Sequence, residues 1–187
     1  MSVDLRLATD RLTLRSVRRD DARRIARLID DFDVAKMLAR VPHPYRLQDA
    51  ESWLDGVLAP DTHEPYVLAI DPGVGLAGIV GFYEHEQGPE IGYWLAKPWW
   101  GNGIVSEAAR AAVDWRFRKT DCAQILSGAF EVNPASQRIL EKLGFEEMGR
   151  LPIYCRARDK RMPHINYRLT RDRYDRLGGE KSDHDGA

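Results

Sequence analysis

The segment Pro98-Trp99-Trp100-Gly101-Asn102-Gly103 constrains this chain more than any other. It follows a strand-like run, Glu90-Ile91-Gly92-Tyr93-Trp94-Leu95, and precedes a helical pattern with Val105, Ala108, Ala109 and Ala112 on one face. Glycines in a turn between strand and helix let backbone N–H groups come close to an anion. The helix N-terminus adds the positive end of its dipole. The same glycines also suit a tight turn that binds nothing. A P-loop is excluded, because no Gly-Lys-Ser/Thr follows. A dinucleotide fingerprint is excluded too: Ser106 stands where its third glycine belongs, and Asp121 precedes the next strand instead of ending it.

The rest of the chain reads as strands first, then strand and helix in alternation. Leu12-Thr13-Leu14 predicts a short strand. Asp20 is placed to cap a helix carrying Ala22, Ile25, Ala26 and Ile29. Val41-Pro42-His43-Pro44 must be irregular. A helix with Ala50, Trp53, Leu54 and Val57 is expected to end by Pro60. Strands are expected at 66–70, 79–83 and 90–95, joined by short turns and so antiparallel. The strand at 124–129 is reached through a helix and should run parallel to 90–95. Asn133-Pro134 opens a helix with Ile139, Leu140 and Leu143 on its apolar face, and Gly144 suits its left-handed end. Strands at 145–151 and 164–169 close one mixed α/β layer structure. Residues 1–177 read as a single domain. The tail 178–187 has almost nothing to bury and is expected to be disordered.

A chain of 187 residues, 43% hydrophobic, fills one sizeable core. Its net charge of -1 gives no footprint for nucleic acid, so the arginines from Arg15 to Arg27, interleaved with aspartates, read as a solvated helix face. Cys122, Cys155 and five scattered histidines show no metal spacing, so no metal is expected. No apolar run is long enough for a membrane, and the reading is a reduced, cytoplasmic protein.

The segments Glu90–Leu95, Pro98–Gly103, Ser106-Glu107-Ala108, and Asn133-Pro134-Ala135-Ser136 through Glu141-Lys142-Leu143-Gly144-Phe145 resemble the GNAT superfamily in order and spacing. Thr9-Asp10-Arg11-Leu12-Thr13-Leu14-Arg15 and Tyr167-Arg168-Leu169 resemble its RimJ/RimL branch, which acetylates N-terminal amines of ribosomal proteins. The resemblance spans about residues 9 to 175. It implies a mostly antiparallel seven-stranded mixed sheet with splayed central parallel strands, flanked by about four helices. It also implies acetyl-CoA as cofactor. Trp94 and Leu95 would lie beside the pantetheine arm. Trp100, Gly101, Asn102, Gly103, Ile104 and Val105 would receive the pyrophosphate. Asn133, Ser136, Arg138 and Lys142 would supply contacts from the following helix. Two positions depart from the family pattern. Pro98 replaces a Gln or Arg, leaving the grip to backbone N–H groups. Leu140 replaces a tyrosine that often protonates the leaving thiolate.

The chemistry needs a base, because an ammonium has no lone pair. Glu90 is the candidate, with Glu84 and Glu86 as competitors on the preceding loop. A backbone N–H near Trp94 or Leu95 is the expected oxyanion donor. Ser136 is the substitute acid, although a thiolate of pKa about 8.5 can also leave unaided. Neither cysteine has a base nearby in sequence, so direct transfer in a ternary complex is expected. Tyr83, the 84–86 and 42–45 loops, and a loop at 154–163 would line the acceptor side. The expected acceptor is a protein or peptide N-terminus. A small amine (polyamine, aminoglycoside or amino-acid derivative) is second. A non-catalytic acyl-CoA-binding module is the alternative of another class. Pairing of exposed strands would allow a homodimer.

Overall fold

The computed structural model describes residues 5–59 and 67–178. Pro60, Tyr66 and the tail expected to be disordered, apart from Gly178, lie outside the described residues. The strands are β1 (Arg6–Ala8), β2 (Thr13–Ser16), β3 (Val67–Asp71), β4 (Gly78–Tyr83), β5 (Glu90–Leu95), β6 (Gln124–Phe130), β7 (Glu146–Cys155) and β8 (Lys160–Thr170). They form one sheet in the order β1-β2-β3-β4-β5-β6-β8-β7. Eight strands stand where seven were expected, because β1 is only three residues long and shows no alternation to read. It is held through Ser16, whose N–H donates to the Leu5 carbonyl and whose Oγ accepts from the Leu5 N–H.

The helices are α1 (Ala22–Ile29), α2 (Phe32–Ala35), α3 (Leu47–Val57), α4 (Ile104–Lys119), α5 (Pro134–Lys142) and α6 (Arg171–Arg176). The expected four are α1, α3, α4 and α5. Helices α2 and α6 are too short for a periodic signal. Asp20 does not make the capping bond. Asp21 is the N-cap of α1 by position, but its carboxylate turns back to the preceding turn, accepting from the Arg18 N–H at 2.8 Å and from the Arg15 guanidinium at 2.8 Å. Burial of Asp21 opposes its charge, but the Arg15 and Arg18 bonds outweigh it and hold the carboxyl below the ordinary range.

Alternation along the strands divides the core. Leu14, Ile70, Val80, Ile91, Ile125 and Leu169 pack with Ala108, Ala109 and Ala112 of α4 and Leu140 of α5 on one face. Val67, Ala69 and Ile79 pack with Ile25 and Ile29 of α1 and Leu54 of α3 on the other. Helices α1 and α3 therefore lie over β2–β4, and further along this face Phe130 of β6 and Met162 of β8 are buried against the segment around Ala39.

The loop expected at 154–163 is largely strand. Strands β7 and β8 run through Pro152 and Pro163, which oppose each other and so need no N–H from the shared ladder. Only the turn Arg156–Asp159 joins them, with Asp159 left-handed at φ 51. This hairpin tip folds back onto the segment after α2. The Arg156 N–H donates to the Ala39 carbonyl at 3.0 Å, and Cys155 is fully buried beside Phe130 and Met162.

Candidate active site

Every neighbouring strand pair is antiparallel except β5 and β6, which run parallel and share one register pair, Glu90 with Leu126. Beyond it the strands part. The Ile91 carbonyl is reached from β6 only by the Ser127 hydroxyl at 3.0 Å. The Leu95 carbonyl is reached by the Trp100 indole N–H at 2.7 Å. A residue's N–H and C=O point the same way in a strand, so the Tyr93 and Leu95 N–H groups face this gap. The Trp94 N–H faces β4, where Trp94 is in register with Ile79. Of the two expected oxyanion donors, Leu95 is the one turned into the gap.

The glycine turn stands at the open end. Gly101 and Gly103 are left-handed, at φ 78 and 73, a conformation strained for any side chain. Gly103 is the N-cap of α4, and the first helical bond to it comes from the Glu107 N–H at 3.1 Å. The Ile104, Val105 and Ser106 N–H groups are thus left for an anion. The turn is fixed from three sides. The Asn102 amide donates to the Trp100 carbonyl at 3.0 Å. Arg11 donates to the Asn102 carbonyl at 2.9 Å and to Glu107 at 2.7 Å. Thr9 donates to the same Glu107 carboxylate at 2.5 Å. Burial of Glu107 opposes its charge, yet the Thr9 and Arg11 bonds prevail and hold its carboxyl below the usual range. Arg11 was not singled out from the sequence; the motif containing it was.

Helix α5 forms the far wall. Asn133 caps it by accepting from the Ser136 N–H at 3.2 Å. Ser136 is buried, and its Oγ lies 3.0 Å from the Tyr93 hydroxyl. Burial pushes the Tyr93 phenol up to about 12. Tyr93 lies inside the Glu90–Leu95 segment, but the sequence alone gives an aromatic strand residue no role beyond packing. Leu140 is fully buried in the core and brings no acid to the cleft. Arg138 is exposed on α5. Lys142 stands at the far end of that helix, in a separate cavity of about 390 Å³ with Arg110 and Arg173.

Glu90 sits at the closed end of the gap, half-buried, opposite Tyr83 of β4. It makes no side-chain hydrogen bond or ion pair among the described residues. Burial pushes the Tyr83 phenol up, and the Arg40 guanidinium lies 5.8 Å from its ring. Glu84 is paired instead with Arg116 of α4, on the opposite layer, and Glu86 is exposed. His43 packs on Phe32, 5.3 Å between ring centroids. Across β6, His164 covers Gly128 so closely that a Cβ there would collide with its imidazole. Its Nδ1 donates to Asn166 Oδ1 at 3.0 Å, since an amide oxygen only accepts. Burial lowers the His164 pKa, against opposing effects of Asn166 and Glu90. His164 was counted in the sequence only as one scattered histidine.

No group of three or more His, Cys, Asp or Glu among the described residues can hold a metal. No helix there is long and apolar enough to cross a membrane.

Known proteins share this arrangement. The profile described as acetyltransferase (GNAT) domain matches residues 11–146. The uncharacterized N-acetyltransferase p20 of Bacillus licheniformis is 25% identical over 173 residues, covering 90% of this chain and 97% of its own. RimL, a ribosomal-protein alpha-N-acetyltransferase in complex with coenzyme A, superposes with a TM-score of 0.78 at 18% identity. That match covers 88% of this chain and 96% of RimL. Mycobacterium smegmatis RimJ, in complex with CoA-disulfide, gives 0.74 at 22% identity, covering 86% and 82%. The cleft is consistent with use of acetyl-CoA. By this profile and this splayed sheet, the chain belongs to the GNAT family of acetyltransferases.

Proposed function

We propose that this protein transfers acetyl from acetyl-CoA to a primary amine, first of all the α-amine of a protein or peptide N-terminus, by direct attack in a ternary complex. The observation that carries the reading is the gap between β5 and β6, with the glycine turn at its open end and Glu90 at its closed end. Acetyl-CoA, when bound, supplies an activated thioester carbonyl and a thiolate leaving group. The free N–H groups of Ile104, Val105 and Ser106 hold the pyrophosphate, with Trp100, Gly101 and Asn102 shaping the turn. The Tyr93 and Leu95 N–H groups pair the pantetheine arm and oppose developing negative charge on the carbonyl oxygen. Asn133 contacts the arm from α5. Glu90 takes the proton from the acceptor ammonium. The Tyr93–Ser136 pair, a phenol that stays protonated through the working pH range, donates to the departing sulfur.

The hairpin tip, tied to the Ala39 carbonyl by the Arg156 N–H, supports a slender acceptor, an extended chain end or a small amine. A thiol-release assay over an amine panel tests the reading. Release with N-terminal peptides supports it. Release only with polyamines, aminoglycosides or amino-acid derivatives replaces the acceptor. CoA binding with no release from any amine replaces catalysis with an acyl-CoA-binding module. The edge strand β7, with Met148, Leu151 and Tyr154 exposed, supports self-pairing, which light scattering on the purified protein reads directly.

A further inference from the structure

The sheet face that carries Glu90 carries a second charge with no ion pair among the described residues. Glu90, Leu126 of β6 and Arg168 of β8 are in direct register, so their side chains leave the same face. The Arg168 Nε is buried without a hydrogen-bond partner, and its guanidinium has no ion pair among the described residues. Its cross-strand neighbour Glu146 is committed elsewhere, to Arg173 of α6 at 2.9 Å. A buried N–H without an acceptor costs free energy, which a ligand carboxylate bonded to the guanidinium edge would recover.

The pyrophosphate turn cannot supply it. Arg168 is level with Glu90, and the turn follows Leu95, about 17 Å further along the strand at roughly 3.3 Å per residue. Asn166 is the next residue of β8 on this face. Its Oδ1 accepts from His164, which leaves its amide N–H groups free to donate beside Arg168. Two donors of this kind match a carboxylate. Glu90 and Arg168 stand two strand spacings apart, about 10 Å between Cα atoms at ~4.8 Å each. At that separation they do not pair with each other but can hold opposite ends of one small zwitterionic group.

Resting on the acetyltransferase reading above, we infer that Arg168 and Asn166 anchor a carboxylate carried by the acceptor itself. The substrate is then an amine with a carboxylate a few atoms away, its amine held at Glu90. That carboxylate can belong to a free amino acid or to an acidic residue next to a peptide N-terminus.

Binding of matched pairs to the CoA-loaded protein, by calorimetry, separates the sources without needing turnover. One pair is L-alanine against L-alaninamide. The other is a six-residue alanine peptide amide with Asp at its second position against the same peptide with Asn. The acid member of at least one pair should bind about 10-fold or more tighter. In R168Q that ratio should fall to about 1, while R168K should keep part of it. Whichever pair discriminates identifies the source. Equal binding of acid and amide in both pairs, undetectable binding of both acids, or a ratio that survives R168Q overturns the inference. If R168Q does not fold, the native protein's ratios and R168K still decide it. Because CoA carries no acetyl, a failure of acetyl transfer in the thiol-release assay leaves these ratios readable.

Discussion

The two ends of the β5–β6 gap are built differently. Around the glycine turn polar groups already bond one another: Arg11 and Thr9 on Glu107, Arg11 on the Asn102 carbonyl, Asn102 on Trp100, Trp100 on Leu95. Only the N–H groups of the first turn of α4 point outward unspent. At the other end Glu90 and Arg168 lie on one sheet face, and neither has an ion pair among the described residues. A cofactor common to many reactions can be met by a prebuilt backbone cradle. An acceptor must be told apart from others, and charged groups lacking partners do that by penalising ligands that leave them unpaired.

Substitutions at the two ends should therefore separate affinity from turnover. Glu90→Gln should lower kcat/KM by about 10²- to 10⁴-fold while leaving acetyl-CoA affinity intact, read by thiol release and calorimetry. Wild-type turnover in that variant would remove Glu90 from the chemistry. At the opposite end, Gly103→Ala places a side chain at φ 73 and should weaken CoA binding about 10-fold, with a lower Tm. Tyr93→Phe keeps the ring but loses the hydroxyl beside Ser136. Stopped-flow thiol release should show kcat reduced by roughly an order of magnitude, with acetyl-CoA affinity unchanged, since a thiolate is already a fair leaving group. The smallest effect is expected at Glu107→Gln, a few-fold in CoA affinity.

That last variant also carries a pH signature. The folded-state pKa of Glu107 lies below its ordinary value of 4.5. Its contribution to stability is thus fully present above pH 4.5 and is lost as pH falls through the folded-state value. Urea denaturation should show Glu107→Gln less stable than the native protein at pH 7, with the difference closing below pH 4.5. A difference that persists unchanged into acid would mean that shape, not charge, holds the latch.

The long elements were legible because their periodicity spans several turns: α3, α4, α5 and the run at β5. The parallel relation of β5 and β6 followed from the helix between them. The short pieces β1, α2 and α6 were not legible, since three to six residues cannot display a period. Strands are expected at 145–151 and 164–169 with a loop at 154–163 between them; the strands run on through that loop because Pro152 and Pro163 oppose each other in the ladder. Glu90 and the glycine turn were visible as motif residues. Arg168 lies in the motif Tyr167-Arg168-Leu169, but its lack of an ion pair among the described residues is a property of register: Glu146 turns to Arg173, and nothing in the sequence says so. Tyr93, His164 and Arg11 gain their meaning from contacts 43, 2 and 96 residues away in the chain, and even the nearest, His164 to Asn166, depends on both lying on one strand face.

The most direct test is a CoA titration followed by amide chemical shifts of the isotopically labelled protein. The largest changes should fall at Gly101 to Ser106 and at the Tyr93 and Leu95 amides, with the cavity of Arg110, Lys142 and Arg173 unmoved. Largest shifts in that cavity, with the glycine turn and β5 silent, would contradict it.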